Sequence, residues 1–429
     1  MGDDGTTDFE AVDYFFDESL VNDPYPYFEY LRSQCPVQRE PHHGVVAITG
    51  YDEAVSVLND SANFSACNAA TGPFPPFPAP IEGDDITALI EQCRDQLPMG
   101  RALPTQDPPR HTELRALLMR LLTPKRLKEN EEFMWRLADR QLDEVLARNE
   151  CEFINDFAQP YTTLVIADLL GVPEADYPTI LAMPTSAAGA MGGKAMAGLP
   201  LAYLQETFSN YVEDRRRQPR DDVLTKLATA TYPDGSTPEV KDVASIAAFL
   251  FIAGQETTAR LLGAALQLLG ERPDLQQLLR DERDRIPNFI EEMLRMESPA
   301  KSHFRMARVS TSVAGVELPA GSTVMLLEGA ANRDPRHFEN PNEFDVERAN
   351  ARQHLAFGQG IHFCPGAPLA RAEARISLER ILDRVGDIKI SETAHGPADA
   401  RRYQYSPTYL FRGLENLHLE FTPVAETKA

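Results

Sequence analysis

One cysteine constrains this chain more than any other feature. The segment from His354 to Arg371 reads HLAFGQGIHFCPGAPLAR and encloses Cys364 between Gly358, Gly360 and Gly366, with Phe357 upstream. Past the cysteine, Leu369, Ala372, Ile376, Leu382 and Val385 are available for one face of a helix predicted over 367–385. The thiol therefore stands near a helix N-terminus, where free N–H groups and the helix dipole favour the thiolate. The glycines let backbone amides come close to the sulfur. A thiolate held this way can act as a nucleophile or as a metal ligand. A phosphate cradle of the form G-x-G-x-x-G fails, because position 363 is Phe.

The other cysteines, Cys35, Cys67, Cys93 and Cys151, are far apart, and no C-x-x-C pair occurs. Neither a disulfide framework nor a zinc knuckle is indicated, and a reducing cytoplasm is the expected compartment. Lys plus Arg number 42 against 65 Asp plus Glu, a net charge of −23 that argues against nucleic-acid binding. Residues 1–23 are acidic and lack a leader pattern, and no run of about 18 apolar residues predicts a membrane span. A length of 429 residues allows two or three domains, but no composition break divides them, so one domain over 1–429 is expected.

Periodicity predicts helices over 24–34, 51–60, 107–122, 129–148, 160–170, 200–217, 221–230, 242–270, 274–283 and 287–296. Asp107 reads as the N-cap of the 107–122 helix. Strands are expected at 45–49 and across 306–327, and the tail from 386 reads as strands and loops. Residues 66–105 read as a loop region that covers a site. Five prolines at 73–80, with Phe74 and Phe77 among them, exclude a helix or central strand there. The fold class is mainly α with a minor, late β portion.

The pattern F-G-x-G-x-H-x-C-x-G, Phe357 to Gly366, resembles the heme-binding loop of the cytochromes P-450, the heme-thiolate monooxygenases. The resemblance implies Cys364 as iron ligand, with Phe357, Gly358 and Gly366 around it. The AGQETT run, Ala253 to Thr258, resembles the family's oxygen-activation motif. Gly254 removes a side chain where a flat ligand approaches. Thr257 can back-bond to the Ala253 carbonyl and open the helix, and Glu256 offers a carboxylate for proton relay. FIEEMLRMESP resembles the structural E-x-x-R helix, with Glu292 and Arg295 on one face. Position 343, often basic in the family, is Glu here, so Arg333, Arg336 and Arg348 are the candidates for a third partner. His111, Arg115, Arg305 and His362 match positions that bind heme propionates in bacterial members.

The resemblance implies the cytochrome P-450 fold, a triangular prism with heme b between the long central helix and the cysteine-loop helix. It further implies a monomer that inserts one oxygen atom of O2 into a hydrophobic terpenoid, steroid, fatty or aromatic compound. Electrons would come from NAD(P)H through an iron–sulfur ferredoxin and its reductase. Because the chain is acidic, a local basic patch is expected for that partner, with Arg110, Arg120, Lys125 and Arg126 as candidates. The substrate pocket is expected from Phe74, Phe77, Phe249, Leu250, Ala253, Ala300, Ser302, His303 and Thr408. Lys301 and His303 are either oxygen anchors or exposed groups. The alternatives are an H2O2-driven peroxygenase, a non-catalytic heme sensor or carrier, and a thiol hydrolase using Cys364 with His362. The first two would not need the Glu256–Thr257 pair, and the third lacks a third catalytic group.

Overall fold

A computed structural model describes residues 8–148, 150–183, 190–191, 201–232 and 234–423. Residues 1–7 of the acidic opening and position 200 of the expected 200–217 helix lie outside them. α1 (Tyr25–Gln34) and α2 (Tyr51–Asn59) flank the hairpin of β1 (Val37–Arg39) and β2 (Val46–Ile48). β3 (Phe64–Ser65) leads into the proline-rich loop, and α3 (Thr87–Cys93) follows. Then come α4 (Arg110–Met119), α5 (Pro124–Leu146), β4 (Glu150–Glu152), α6 (Gln159–Leu170), α7 (Tyr177–Leu181), α8 (Leu201–Arg217) and α9 (Val223–Ala228). α10 (Val240–Glu271) has 32 residues and spans about 48 Å. α11 (Pro273–Asp281) and α12 (Ile286–Met296) precede β5 (His303–Ala307), β6 (Thr311–Val313), β7 (Val316–Leu318) and β8 (Thr323–Leu326). The chain closes with α13 (Glu328–Ala331), α14 (Ala367–Arg384), β9 (Val385–Ile390), α15 (Glu392–His395) and β10 (His418–Pro423).

The larger sheet runs β1-β2-β8-β5-β3, with only the β2–β8 pair parallel. Alternation on β5 puts His303 and Arg305 on one face and Phe304 and Met306 on the other. The helical core gathers Leu114, Leu117 and Leu118 of α4 with the inner faces of α5, α6, α10, α12 and α14. Among the described residues no helix is long and apolar enough to cross a membrane.

Two expectations change. Asp107 does not cap α4 with its side chain, whose N-cap is Pro109. It is buried instead, accepting from the Ala66 amide at 2.9 Å and from Arg94 and Arg308 at 3.2 Å. The 66–105 region is not all loop, since α3 lies inside it. The opening segment packs into the fold: Tyr14 and Phe15 are fully buried, and the Tyr14 hydroxyl donates to the Tyr409 carbonyl at 2.8 Å.

Candidate active site

The cysteine loop is built by backbone geometry. Gly358 and Gly360 adopt φ of +65° and +67°, which disfavour a side chain, and let the chain reverse. The Cys364 amide then donates to the Phe357 carbonyl at 2.8 Å, and α14 starts just past the sulfur. Burial pushes the Cys364 thiol upward; the amides of Gly366 and Ala367 and the guanidinium groups of Arg115 and Arg371 oppose that only in part. The helix N-terminus and the two guanidinium groups thus favour the thiolate against the effect of burial. The sulfur becomes anionic when a cation sits on it. Arg371 also lies over the Phe357 ring, 4.7 Å from its centroid, and stiffens the loop.

On α10, Ala253, Glu256, Thr257 and Arg260 share one face by their i, i+3, i+4 and i+7 spacing, and Phe249 lies one turn before them. Positions 252–257 are half-buried although both flanks of the helix are buried. Thr257 Oγ1 donates to the Ala253 carbonyl at 3.0 Å, the back-bond that the motif allows. Glu256 pairs with Arg260, a partner that no motif announced. Gly254 is also a packing position. A Cβ there would meet Ile166 of α6 at 3.2 Å, so this glycine serves helix–helix approach. Leu250 shares that neighbouring row and is buried in the core. Thr162 of α6 donates to the Gln255 carbonyl at 2.9 Å, locking the two helices at the same level.

Two arginines and two imidazoles gather near the cysteine loop. The rings of His111 and His362 lie 4.2 Å apart between centroids. Arg115 Nη2 donates to the Phe363 carbonyl at 2.6 Å and so reaches the cysteine loop. Arg305 is buried, and its one hydrogen bond goes to the neighbouring Phe304 carbonyl. Burial holds His111 down at about 4 and His362 at about 2, each further depressed by Arg305 and Arg115. Among the described residues none of the four has a carboxylate within ion-pair distance, and His111 Nε2 is buried without a partner. Such a group calls for anions from outside the chain.

These residues fit a heme. No cluster of three or more His, Cys, Asp or Glu side chains suited to a metal occurs among the described residues. A lone sulfur suits a metal that brings its own chelate, and two propionates would answer the two guanidinium groups and the two imidazole N–H donors.

The E-x-x-R pair is fully enclosed, with Glu292 and Arg295 both 0% exposed and joined by two 2.8 Å bonds. The open third partner is Arg348, whose Nε reaches Glu292 at 2.9 Å. Arg333 pairs with Glu297, and Arg336 with Glu53 and Asp334. Glu343 contributes only its backbone carbonyl, which accepts from Arg295 and Arg348 at 3.1 Å.

The expected pocket residues divide. Phe249, Ala253, Ala300 and Thr408 stand on α10 or on the segments that approach it, and Ala300 bridges to Phe411. Phe74 packs instead against Phe15 and Tyr409. Phe77 lines a cavity of about 270 Å³ with Cys67 and Met306, on the face of β5 opposite Arg305. Ser302 spends its hydroxyl on the Tyr409 carbonyl at 2.7 Å. His303 joins Glu328 at 2.6 Å and adds to the field on His362. Lys301 is not exposed but buried. The basic patch shrinks as well: Arg110 is paired with Asp242 at 2.7 Å and Arg126 with Asp168 at 3.2 Å, leaving the exposed Arg120 and Lys125, the latter only loosely paired with Glu129 at 3.9 Å.

The cytochrome P450 family model matches residues 177–386. Cytochrome P450 144 of Mycobacterium tuberculosis is 34% identical over 417 residues, which are 94% of this chain and 90% of the relative. 6-Deoxyerythronolide B hydroxylase of Saccharopolyspora erythraea is 32% identical over 410 residues, 93% of this chain and 96% of the relative. The structure of Mycobacterium marinum cytochrome P450 CYP150A6 in the substrate-free form matches with a TM-score of 0.92 and 59% identity, over 97% of this chain and 100% of that one. The lone sulfur, the back-bonded threonine and these relatives converge: the chain belongs to the cytochrome P450 family, whose members are typically hydroxylating oxidoreductases.

Proposed function

We propose that the chain, acting as one cytoplasmic catalytic unit, inserts one oxygen atom from O2 into a C–H bond of an apolar small molecule, with electrons passed from NAD(P)H through a ferredoxin and its reductase. Bound heme b supplies the oxygen chemistry, which the protein's own groups cannot perform. Cys364 would hold the iron, and His111, Arg115, Arg305 and His362 would hold the propionates. Phe249, Ala253, Ala300 and Thr408 give the substrate an apolar wall. The Thr257 hydroxyl and the Glu256 carboxylate deliver protons from the α10 face.

The observation that carries this reading is the unmet demand around the cysteine loop: two arginines and two imidazoles with no ion-pair partner among the described residues, one imidazole nitrogen buried without a bond, beside one buried sulfur. Retention of both Glu256 and Thr257 favours O2 chemistry over a peroxygenase or a sensor. The electron donor docks beside Cys364, where Met119, Ile361 and Phe363 are exposed apolar groups and Arg120 and Lys125 are exposed cations. Thr257→Ala tests the proton role. The variant should still bind heme and consume NAD(P)H, but release a larger share of the electrons as hydrogen peroxide. An unchanged product yield per electron would remove Thr257 from the path.

A further inference from the structure

The acid on α10 has a partner placed with more care than an ordinary ion pair. Glu256 and Arg260 stand one turn apart, and Arg260 Nη2 donates to Glu256 Oε1. Their side chains are only 13% and 8% exposed. Surface pairs at this spacing are weak because water screens both charges, and that screening is largely absent here.

The far side of Arg260 is enclosed by the C-terminal segment. Its guanidinium lies 5.7 Å from the centroid of the Phe411 ring. A Cβ on residue 413 would come within 2.8 Å of Arg260 Nη1 and 2.9 Å of its Cβ, so glycine there leaves room for the arginine. Two further cations act in this region. Arg412 is committed to Glu297 at 2.6 Å, and Lys301 is buried close enough to Arg260 and Arg412 for both to disfavour its charge. Attraction to Glu256 is the ionic contact that acts on this guanidinium. Among the described residues its Nε and Nη1 have no hydrogen-bond partner, so Glu256 is the group that fixes it.

We propose that Arg260 is a positioning residue for proton delivery: it holds the Glu256 carboxylate beside Thr257 and ties that orientation to the segment from Thr408 to Gly413. The inference rests on the proposed relay role of Glu256. Without the clasp, the carboxylate samples several rotamers, and the proton is handed over from fewer productive geometries. Because Ala300 bridges to Phe411, a shift of the pocket wall would reach the acid through Arg260.

The test uses heme-loaded wild type, Arg260→Gln, Arg260→Lys, Glu256→Gln and the Arg260→Gln/Glu256→Gln double variant. Each is reduced by a plant-type ferredoxin and its NADPH reductase, with lauric acid as the apolar probe. The readouts are hydrogen peroxide released per NADPH consumed and the solvent deuterium isotope effect on NADPH consumption. Arg260→Gln should raise the peroxide share at least threefold and change the isotope effect. Arg260→Lys should recover most of both, and the double variant should match Glu256→Gln alone. If Glu256→Gln behaves as wild type, the relay reading fails and takes the inference with it. If Glu256→Gln departs from wild type while Arg260→Gln does not, or if the two effects add, the relay stands and the inference falls. Should Arg260→Gln fail to hold heme, Gly413→Ala decides. It keeps the charge and displaces the arginine, so it should raise the peroxide share in the same direction, and no change would overturn the proposal.

Discussion

Lys301 is 3% exposed, and burial, reinforced by Arg412 and Arg260, lowers its ammonium to about 7. The unfolded chain keeps a normal lysine, so between pH 7 and about 10.4 it binds more protons than the folded chain. Stability should therefore rise with pH across that window. Lys301→Met should raise the thermal midpoint at pH 7 by the equivalent of roughly 1–3 kcal/mol and flatten the slope. A lower midpoint would mean that the amine has a stabilising partner. The Glu292 triad gives the opposite case. Arg348→Met leaves a buried carboxylate half-answered and should cost about 3–5 kcal/mol in denaturant unfolding. Glu343→Ala should be nearly neutral, because only its carbonyl is used. That difference also explains what could be read in advance. Side-chain identity announced Glu292 and Arg295, while the third partner stayed among three arginines. The choice depended on a backbone carbonyl at 343, which any residue supplies.

At the scale of elements, α10 carries two rows with separate duties. The row of Ala253, Glu256, Thr257 and Arg260 bears the proposed chemistry, while Leu250 and Gly254 belong to the packing row. Gly254→Val should push Ile166 and separate α10 from α6, at about 1–3 kcal/mol. Thermal unfolding would show it, and an unchanged midpoint would return Gly254 to the cofactor side. The long helices were legible because their apolar periodicity spans several turns, and α6, α10, α12 and α14 begin and end within about two residues of expectation. β1, β3 and β4 were not, since two or three residues carry no period and exist only through pairing with distant strands. Phe74 and Phe77 misled for a similar reason. Their aromatic character signalled burial, but not which face of β5 would bury them. For the surface near α4, Arg120→Glu with Lys125→Glu should slow ferredoxin-driven reduction several-fold without altering the response to apolar ligands. Equal reduction rates would place docking elsewhere.

Across the whole molecule, distant parts converge on one loop. Glu291 of α12 binds Arg371 of α14 at 2.6 Å and His354, which opens the cysteine segment, at 3.1 Å. Burial alone would raise the Glu291 carboxyl, but bonds from His354 and Arg371 outweigh it and hold it at about 2. Its contribution is thus complete above about pH 4.5 and is lost as pH falls toward 2. Glu291→Gln should lower stability at pH 7 and reduce the acid sensitivity in that window. The aromatic cluster of Tyr14, Phe15, Phe304 and Tyr409 ties the opening segment to the C-terminal turn on the other side of the sheet. The most direct measurement is the absorption spectrum of the purified, heme-loaded protein after reduction and addition of CO, beside Cys364→Ala. The wild type should show the red-shifted Soret band of thiolate ligation, and the variant should lose it. A wild-type protein without that band, or a variant that keeps it, would contradict the assignment of Cys364 as the iron ligand.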